Sequence, residues 1–344
     1  MNKSQKFVFK SEITESSEFY EHFNFIVDKG QVPIRIDKYL LHKIAEVSRS
    51  KIQQAAKANC ILVNNKPVKS NYKVKPLDEI KIILPYPPKE TEIIPQYIPL
   101  NIVYEDEDII VINKQSGLVV HPAPGHLSGT LLNGLYYYFL HSSNPEIKPL
   151  LVHRIDKDTT GLLVVCKNEY SQVFLAKQFA EHSIERKYIA LVWGIPDPPK
   201  GTIKCNIGRG LVDRTKMVCY PDGSHGKYAV THYNVIEHWN YLSLVECILE
   251  TGRTNQIRTH FEYIKHPLFN DEKHGGKKIL FGNKDKNFLI LVNKLFEVLQ
   301  RVALHAKILG FIHPRTKKFI RFESDLPDDM AQALNLLKNF SPPS

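Results

Sequence analysis

The chain has 344 residues, 43% hydrophobic and 24% charged, enough for one large packed domain plus a small one, and its net charge of +10 favours a polyanionic partner. Five widely spaced cysteines with no Cys-x-x-Cys pair speak against a disulfide framework or a zinc ribbon and for a reducing compartment. The N-terminus has no apolar signal core and the run from Phe288 to Val292 is far too short for a bilayer, so a cytoplasmic protein without membrane association is expected.

Residues 1–22 are polar and acidic and read as a loosely ordered extension. A strand is expected from Phe23 to Asp28, then a helix over Ile36–Ile44 and a second opened by Ser48 as N-cap and running to about Asn59. Cys60 to Lys66 reads as a strand entering an Asn64-Asn65 turn, and Glu79 to Leu84 as another strand. Between Gln31 and Tyr86 there are eleven Lys and Arg against four Asp and Glu, a net of +7, so this short segment holds most of the chain's excess charge. Such concentration is the footprint of a nucleic-acid module, because phosphate contacts dominate affinity. Ser48-Arg49-Ser50 at a helix start combines backbone donors, hydroxyls and a guanidinium suited to a phosphate. Candidate RNA contacts here are Arg35, Lys38, Ser48, Arg49, Lys51 and Lys66. The proline-rich stretch Pro85–Glu90 is stiff and non-helical, which sets a small domain at 23–86 and a linker at 87–98.

Beyond the linker, strands are expected at Asp108–Asn113, Leu162–Cys166, Lys187–Gly194, Val230–Glu237, Ser243–Glu250, Ala303–Phe311 and Lys318–Phe322. Helices are expected at Thr130–Leu140, Glu169–His182, Asn255–Tyr263, Asn287–Gln300 and Asp328–Asn339. No regular βαβ repeat emerges, so the fold class is α+β: a mixed, mostly antiparallel sheet with flanking helices and loops over 99–327, then a C-terminal helix and tail at 328–344. Lys187–Gly194 and Tyr241–Leu249 interleave polar and apolar residues, the pattern of a sheet covered on one face. Lys277–Lys286 reads as an exposed basic loop.

The segment from Val152 to Val165 carries most of the functional information. Its charged tetrad His153-Arg154-Ile155-Asp156 runs into the turn-forming Asp158-Thr159-Thr160-Gly161, and an apolar strand follows at once. A loop on a rigid strand is where catalytic side chains are usually found. Taken alone, Asp156 would as readily be an Asx-turn former, and Asp158 is the better candidate for that duty.

Several motifs together resemble known families. Arg35-Ile36-Asp37-Lys38-Tyr39-Leu40, Ser48-Arg49-Ser50-Lys51-Ile52, Ile61-Leu62-Val63-Asn64 and Val74-Lys75-Pro76-Leu77-Asp78-Glu79-Ile80 resemble the S4-type (alpha-L) RNA-binding domain. Four further segments are similar, in order, to the RluA/RluD family of RNA pseudouridine synthases. They are Ile102–Pro122, His153–Leu163, Arg186–Gly194, and Thr251-Gly252-Arg253-Thr254-Asn255-Gln256-Ile257-Arg258-Thr259-His260 with the later His266-Pro267, Leu304-His305-Ala306 and His313-Pro314. That resemblance implies a pseudouridine synthase fold and isomerisation of uridine in structured RNA, with large-subunit ribosomal RNA as the expected substrate and transfer RNA left open as an alternative. It implies no cofactor, no metal and no obligate protein partner. It assigns the carboxylate at the ribose to Asp156, its cationic partner to Arg258, and base stacking with a part in removing the C5 proton to Tyr188. Arg154 would fill the space left by the flipped base. His153, Arg253 and Gln256 join the set that handles RNA or orients its loop.

The chain departs from the family's commoner wording at Ile155, Thr160, Gln115, Asn255 (for a histidine) and His274 (for a tyrosine), none of which removes a catalytic group. No P-loop or dinucleotide fingerprint follows a strand, and the His260, His266, His274 spacing matches no common zinc pattern. Two rivals share parts of the sequence. A purely RNA-binding assembly protein would need the basic domain but not Asp156, Tyr188 and Arg258 together, and an N-glycosidase would release free uracil.

Overall fold

The computed structural model describes residues 20–44, 47–84, 93–123, 126–282 and 285–340. Most of the expected N-terminal extension, the Pro85–Glu90 stretch with the linker up to residue 92, and the final tail at 341–344 lie outside the described residues. The chain divides into two compact units, Met1–Glu92 and Ile93–Ser344.

In the first unit the elements are β1 (Tyr20–Ile26), α1 (Ile36–Lys43), α2 (Arg49–Lys57), β2 (Ile61–Val63), β3 (Lys66–Pro67) and β4 (Glu79–Leu84). The strands form an antiparallel sheet in the order β1-β4-β2-β3. Asn64 and Asn65 both have positive φ, the pair of left-handed residues that matches the twist of a tight hairpin. Ser48 caps α2 by accepting from Lys51 N at 3.3 Å. Ile36 and Leu40 of α1 and Ile52 of α2 pack with Ile61, Val74 and Ile80 into one core, which leaves the lysines on the outside.

In the second unit the elements are β5 (Ile102–Glu105), β6 (Ile109–Lys114), α3 (Leu131–Leu140), β7 (Leu150–Leu151), β8 (Thr160–Cys166), α4 (Glu169–Ala180), β9 (Glu185–Trp193), β10 (Lys200–Arg209), β11 (Met217–Tyr220), β12 (Lys227–Trp239), β13 (Leu242–Leu249), α5 (Gln256–Tyr263), α6 (Lys286–Val298), β14 (Leu304–Ile312), β15 (Phe319–Glu323) and α7 (Asp328–Lys338). One 11-stranded sheet runs β11-β10-β12-β13-β9-β14-β8-β6-β5, with β15 added to β14 and β7 to β8. Only the β14–β8 pair is parallel, so the sheet is mixed and mostly antiparallel, in an α+β unit.

The expectation of a sheet covered on one face fails at its centre. Tyr188, Ala190 and Val192 of β9 join Val245 and Cys247 of β13 in a core with α3 and α5. The alternate residues Ile189, Leu191, Trp193, Leu242 and Leu244 join a second core with α6 and α7. Helices cover both faces here, and the polar residues that suggested a wet face are bonded within the sheet. Lys187 near the start of β9 pairs with Glu246 midway along β13, and Ser243 donates to the Gly194 carbonyl at 2.7 Å. The β8–β14 contact is equally tight. Gly161 has φ +112, and a Cβ there would lie 2.2 Å from the Ala306 carbonyl oxygen, so only glycine lets the two strands meet directly after the Asp156 loop.

Candidate active site

The loop from Val152 to Thr159 joins β7 to β8, and its backbone is held from several sides. Thr159 N donates to the Asp156 carbonyl at 3.2 Å, closing the turn. Lys114, at the end of β6 and 1% exposed, donates from Nζ to the carbonyls of Lys157 (2.9 Å) and Gln115 (2.8 Å). Arg301 donates to the Asp158 carbonyl at 3.2 Å and is itself fixed by a two-point pair with Asp329. Burial pulls the Lys114 ammonium down to about 7, against the opposing pull of Asp158. The turn thus begins at the Asp156 carbonyl, and Asp158 contributes its backbone carbonyl rather than its carboxylate. Lys114 and Arg301 were not among the residues the sequence singled out as functional.

The Asp156 carboxylate is 29% exposed and meets the first turn of α5. Arg258 Nη1 donates to Oδ2 at 3.2 Å. Asn255 sits before α5 in the left-handed region, φ +53, which asparagine tolerates better than most residues. Its amide nitrogen faces the acid and donates to Oδ1 at 3.1 Å and Oδ2 at 2.8 Å. The opposite orientation would set an amide oxygen against two carboxylate oxygens. Arg258 is aimed by Asp271, a fully buried carboxylate that accepts from Nε at 2.6 Å and from Nη2 at 2.8 Å. Burial works against the guanidinium charge, but Asp271 and then Asp156 hold its pKa above the ordinary arginine value. His274 N in turn donates to Asp271 at 3.1 Å, and its Nδ1 lies 2.8 Å from Glu262.

Asp156 lies where two clefts meet. One, of about 480 Å³, is lined by Arg154, Asp156, Arg186, Tyr188, Ile257 and Arg258 among others. The other, of about 640 Å³, shares Arg154, Asp156, Asn255 and Arg258 and is flanked by Lys157, Lys273 and Lys277. Tyr188 is buried on β9, and burial raises its phenol pKa while Arg186 opposes that rise. Arg154 is exposed and lines both clefts. The structure therefore brings Arg154 and Asp156 of the β7–β8 loop, Tyr188 of β9 and Arg258 of α5 together from three separate segments.

Two neighbours take the loop-orienting duty expected of them rather than a contact with RNA. Gln256 is 3% exposed and spends its whole amide internally. Its Oε1 accepts from Thr251 Oγ1 and Arg253 N, and its Nε2 donates to Val230 O and Thr231 Oγ1. It pins the 251–256 loop to β12 and has nothing left to offer RNA, which corrects its place among the RNA contacts. His153 is a buttress of the same kind. Its Nε2 accepts from Val164 N at 3.0 Å and its ring stacks on Phe179, while burial holds its pKa down at about 3. Arg253 is half-buried and donates to the Tyr228 carbonyl at 3.0 Å. In the first unit Arg35 and Arg49 both bond the fully buried carboxylate of Asp37, while Lys38, Ser48, Lys51 and Lys66 are exposed.

Two donor sets among the described residues have metal-like composition. In Cys205, Cys219 and His260 the sulfurs are joined to each other as a disulfide between β10 and β11. The 14-residue spacing gave no sign of that pair; the hairpin register, with Ile207 opposite Cys219, creates it. In Asp106, Asp108 and His313 the carboxylates are already bonded to Arg315, His313 and backbone N–H groups.

Residues 108–263 match the RNA pseudouridylate synthase family, and residues 34–80 match the S4 domain. An RNA pseudouridine synthase of Bacillus subtilis is 44% identical over 89% of this chain and 95% of its own length. The ribosomal large subunit pseudouridine synthase D of Zymomonas mobilis is 41% identical over 88% and 93%. The chain belongs to the RNA pseudouridine synthase family. Human RNA pseudouridylate synthase domain containing 4 has the same fold, with a TM-score of 0.55, 23% identity, and coverage of 71% of this chain and 95% of that one. This pseudouridine synthase isomerises uridine in RNA to its C-glycoside, and its S4 domain is an RNA-binding module. None of its described helices is long and apolar enough to cross a membrane.

Proposed function

We propose that Asp156 is the group that acts at the ribose, and that the substrate is large-subunit ribosomal RNA, modified in the cytoplasm without a cofactor. The observation that carries this reading is the ion pair of Asp156 with Arg258 at the mouth of a cleft of nucleotide size that also holds Tyr188. The reaction breaks N1–C1′, turns the base and rejoins it through C5, so atoms and electrons balance within the nucleotide and no redox partner is needed. An ionised carboxylate serves either as nucleophile at C1′ or as base toward a ribose proton, and Arg258 with Asn255 holds it aimed. The target base must leave its stack, at about a few kcal/mol. Arg154, exposed at the junction of both clefts, takes the vacated space, and the Tyr188 ring faces the extruded uracil.

Relatives from Zymomonas mobilis and Haemophilus influenzae bear the name ribosomal large subunit pseudouridine synthase D, which favours ribosomal over transfer RNA. The exposed Lys38, Lys51 and Lys66 with the Asp37-anchored Arg35 and Arg49 form the phosphate-facing set, and Ser48 caps the helix that presents them. The test is tritium release from RNA labelled at uridine C5. Wild type releases label from large-subunit RNA and Asp156→Ala does not, while mass spectrometry finds the chain mass unchanged. Release by both proteins sinks the assignment of Asp156. Free uracil with abasic sites would make the enzyme a glycosidase instead.

A further inference from the structure

Arg186, the second residue of β9, is a buried cation without a carboxylate partner. It is 7% exposed, and no acidic group among the described residues pairs with it. Its Nη2 donates to the carbonyls of Leu249 (3.5 Å) and Glu250 (3.1 Å), its Nε has no hydrogen-bond partner, and its guanidinium lies 5.6 Å from the centre of the Phe179 ring. A charge withdrawn from water and left uncompensated costs several kcal/mol, so buried ions are normally paired. The other arginines of this cleft are not in that position. Arg258 holds two carboxylates, Arg253 is only half-buried, and Arg154 is exposed to solvent.

We propose that the missing counter-charge is the substrate's own, and that Arg186 is a catalytic residue that stabilises negative charge on the uracil ring as N1–C1′ breaks. This rests on the reading of Asp156 as the group at the ribose. When the bond breaks, its electron pair stays with the base, which becomes an anion sharing charge between N1 and its two carbonyl oxygens. Asp156 is neutralised in the same step, by bonding to C1′ or by taking a ribose proton. One negative charge therefore moves from a carboxylate already paired with Arg258 to a ring that has no partner except Arg186. The placement fits. Arg186 and Tyr188 are two residues apart on β9, so their side chains stand on the same face about 7 Å apart, and both line the cleft that contains Asp156. A delocalised guanidinium also suits a base that has to rotate, because attraction to spread charge does not fix one orientation. When C5 attacks C1′, Asp156 leaves C1′ as its carboxylate or gives the ribose proton back, the C5 proton is passed on and N1 takes one up, and Arg186 returns to its unpaired state.

The test is single-turnover kinetics on the large-subunit RNA, with RNA affinity and thermal unfolding measured on the same preparations. Arg186→Met is expected to slow the chemical step roughly 100-fold, the scale of losing one donor to a developing anion. RNA affinity should stay within about threefold, and the melting temperature should be unchanged or higher because an unpaired buried charge has been removed. Arg186→Lys, which keeps the charge, should retain more of the rate than the methionine variant. A folded Arg186→Met enzyme with wild-type chemistry overturns the proposal. Weakened affinity at an unaltered saturating rate also overturns it, by making the ligand a backbone phosphate. So does a melting temperature lowered by several degrees, since a side chain that the RNA-free fold requires is not awaiting substrate charge. Asp156→Ala runs in parallel. If that variant is active the underlying reading has failed, whereas if it is silent while Arg186→Met is fully active only this inference has.

Discussion

At Asn255 one residue meets a backbone demand and a chemical one together. The left-handed turn before α5 calls for asparagine or glycine, and the amide that asparagine brings reaches both oxygens of Asp156. The sequence marked the position only as a departure from the family's histidine; the contact with Asp156 appears when α5 is docked against the β7–β8 loop. Asn255→Gly keeps the backbone and deletes the amide. It is expected to lower the single-turnover rate about 10- to 100-fold, the worth of one hydrogen bond to a charged group. Asn255→Asp should be slower still, because two adjacent carboxylates resist joint ionisation and the shared acid pKa rises. The acid limb of its rate–pH profile should then lie at higher pH than that of the wild type. Coincident limbs would show that residue 255 does not touch the Asp156 carboxylate. Asp271 was hidden for a related reason. It lies 13 residues beyond Arg258 in an Asn-Asp-Glu run that reads as an ordinary turn, and only the fold turns that carboxylate under the guanidinium.

Among the elements, those with strong local signals were legible and those defined by their neighbours were not. All five helices expected beyond the linker form, and Thr130, Asn168 and Asp285 cap three of them. The strand β10 escaped because Lys200, Gly201, Lys204, Asn206 and Gly208 dilute its β-forming residues, and β12 and β11 on either side are what make it a strand. Burial of β9 and β13 on both faces was likewise invisible, since α6 and α7 arrive from far along the chain. Packing on this scale also sets the acid stability. His305, on β14, bridges Thr160 Oγ1 and Ser324 Oγ at 2.9 Å each, and burial holds it near 4, as burial also holds His260 on α5 near 4. The unfolded chain, with imidazoles near 6.5, binds these protons between about pH 6.5 and 4 while the folded chain does not. Stability therefore rises with pH through that window and is lost as pH falls, by up to about 1.4 kcal/mol per pH unit for each histidine. Thermal unfolding of His305→Gln between pH 4 and 7 should show a shallower pH dependence than the wild type. An unchanged slope would mean that His305 is already charged in the fold.

In the molecule as a whole, charge and chemistry are assigned to different units. The segment 31–86 carries a net +7 of the chain's +10, while the acid and its supporting residues all belong to the second unit. That division was readable from the sequence because charge segregation needs no knowledge of the fold. The network beneath it was not. Asp37, fully buried, receives hydrogen bonds of 3.0–3.1 Å from Arg35, Arg49 and Gln53, and although burial works the other way these hold its carboxyl well below the usual range. The two arginines are thus anchored by an acid, whereas Lys38, Lys66 and Lys69 stand on exposed ground. Phosphate contacts made equally with bound substrate and with the transition state change affinity and not the bound rate. Replacing Lys38, Lys66 and Lys69 together by glutamine should therefore weaken RNA binding and flatten the log affinity against log salt plot by roughly two to three, about 0.9 for each phosphate that a lysine no longer neutralises. The single-turnover rate at saturating RNA should not change. If that rate falls in step with affinity, the basic unit must act on the chemical step as well as on docking, and division of labour between the units would have to be abandoned.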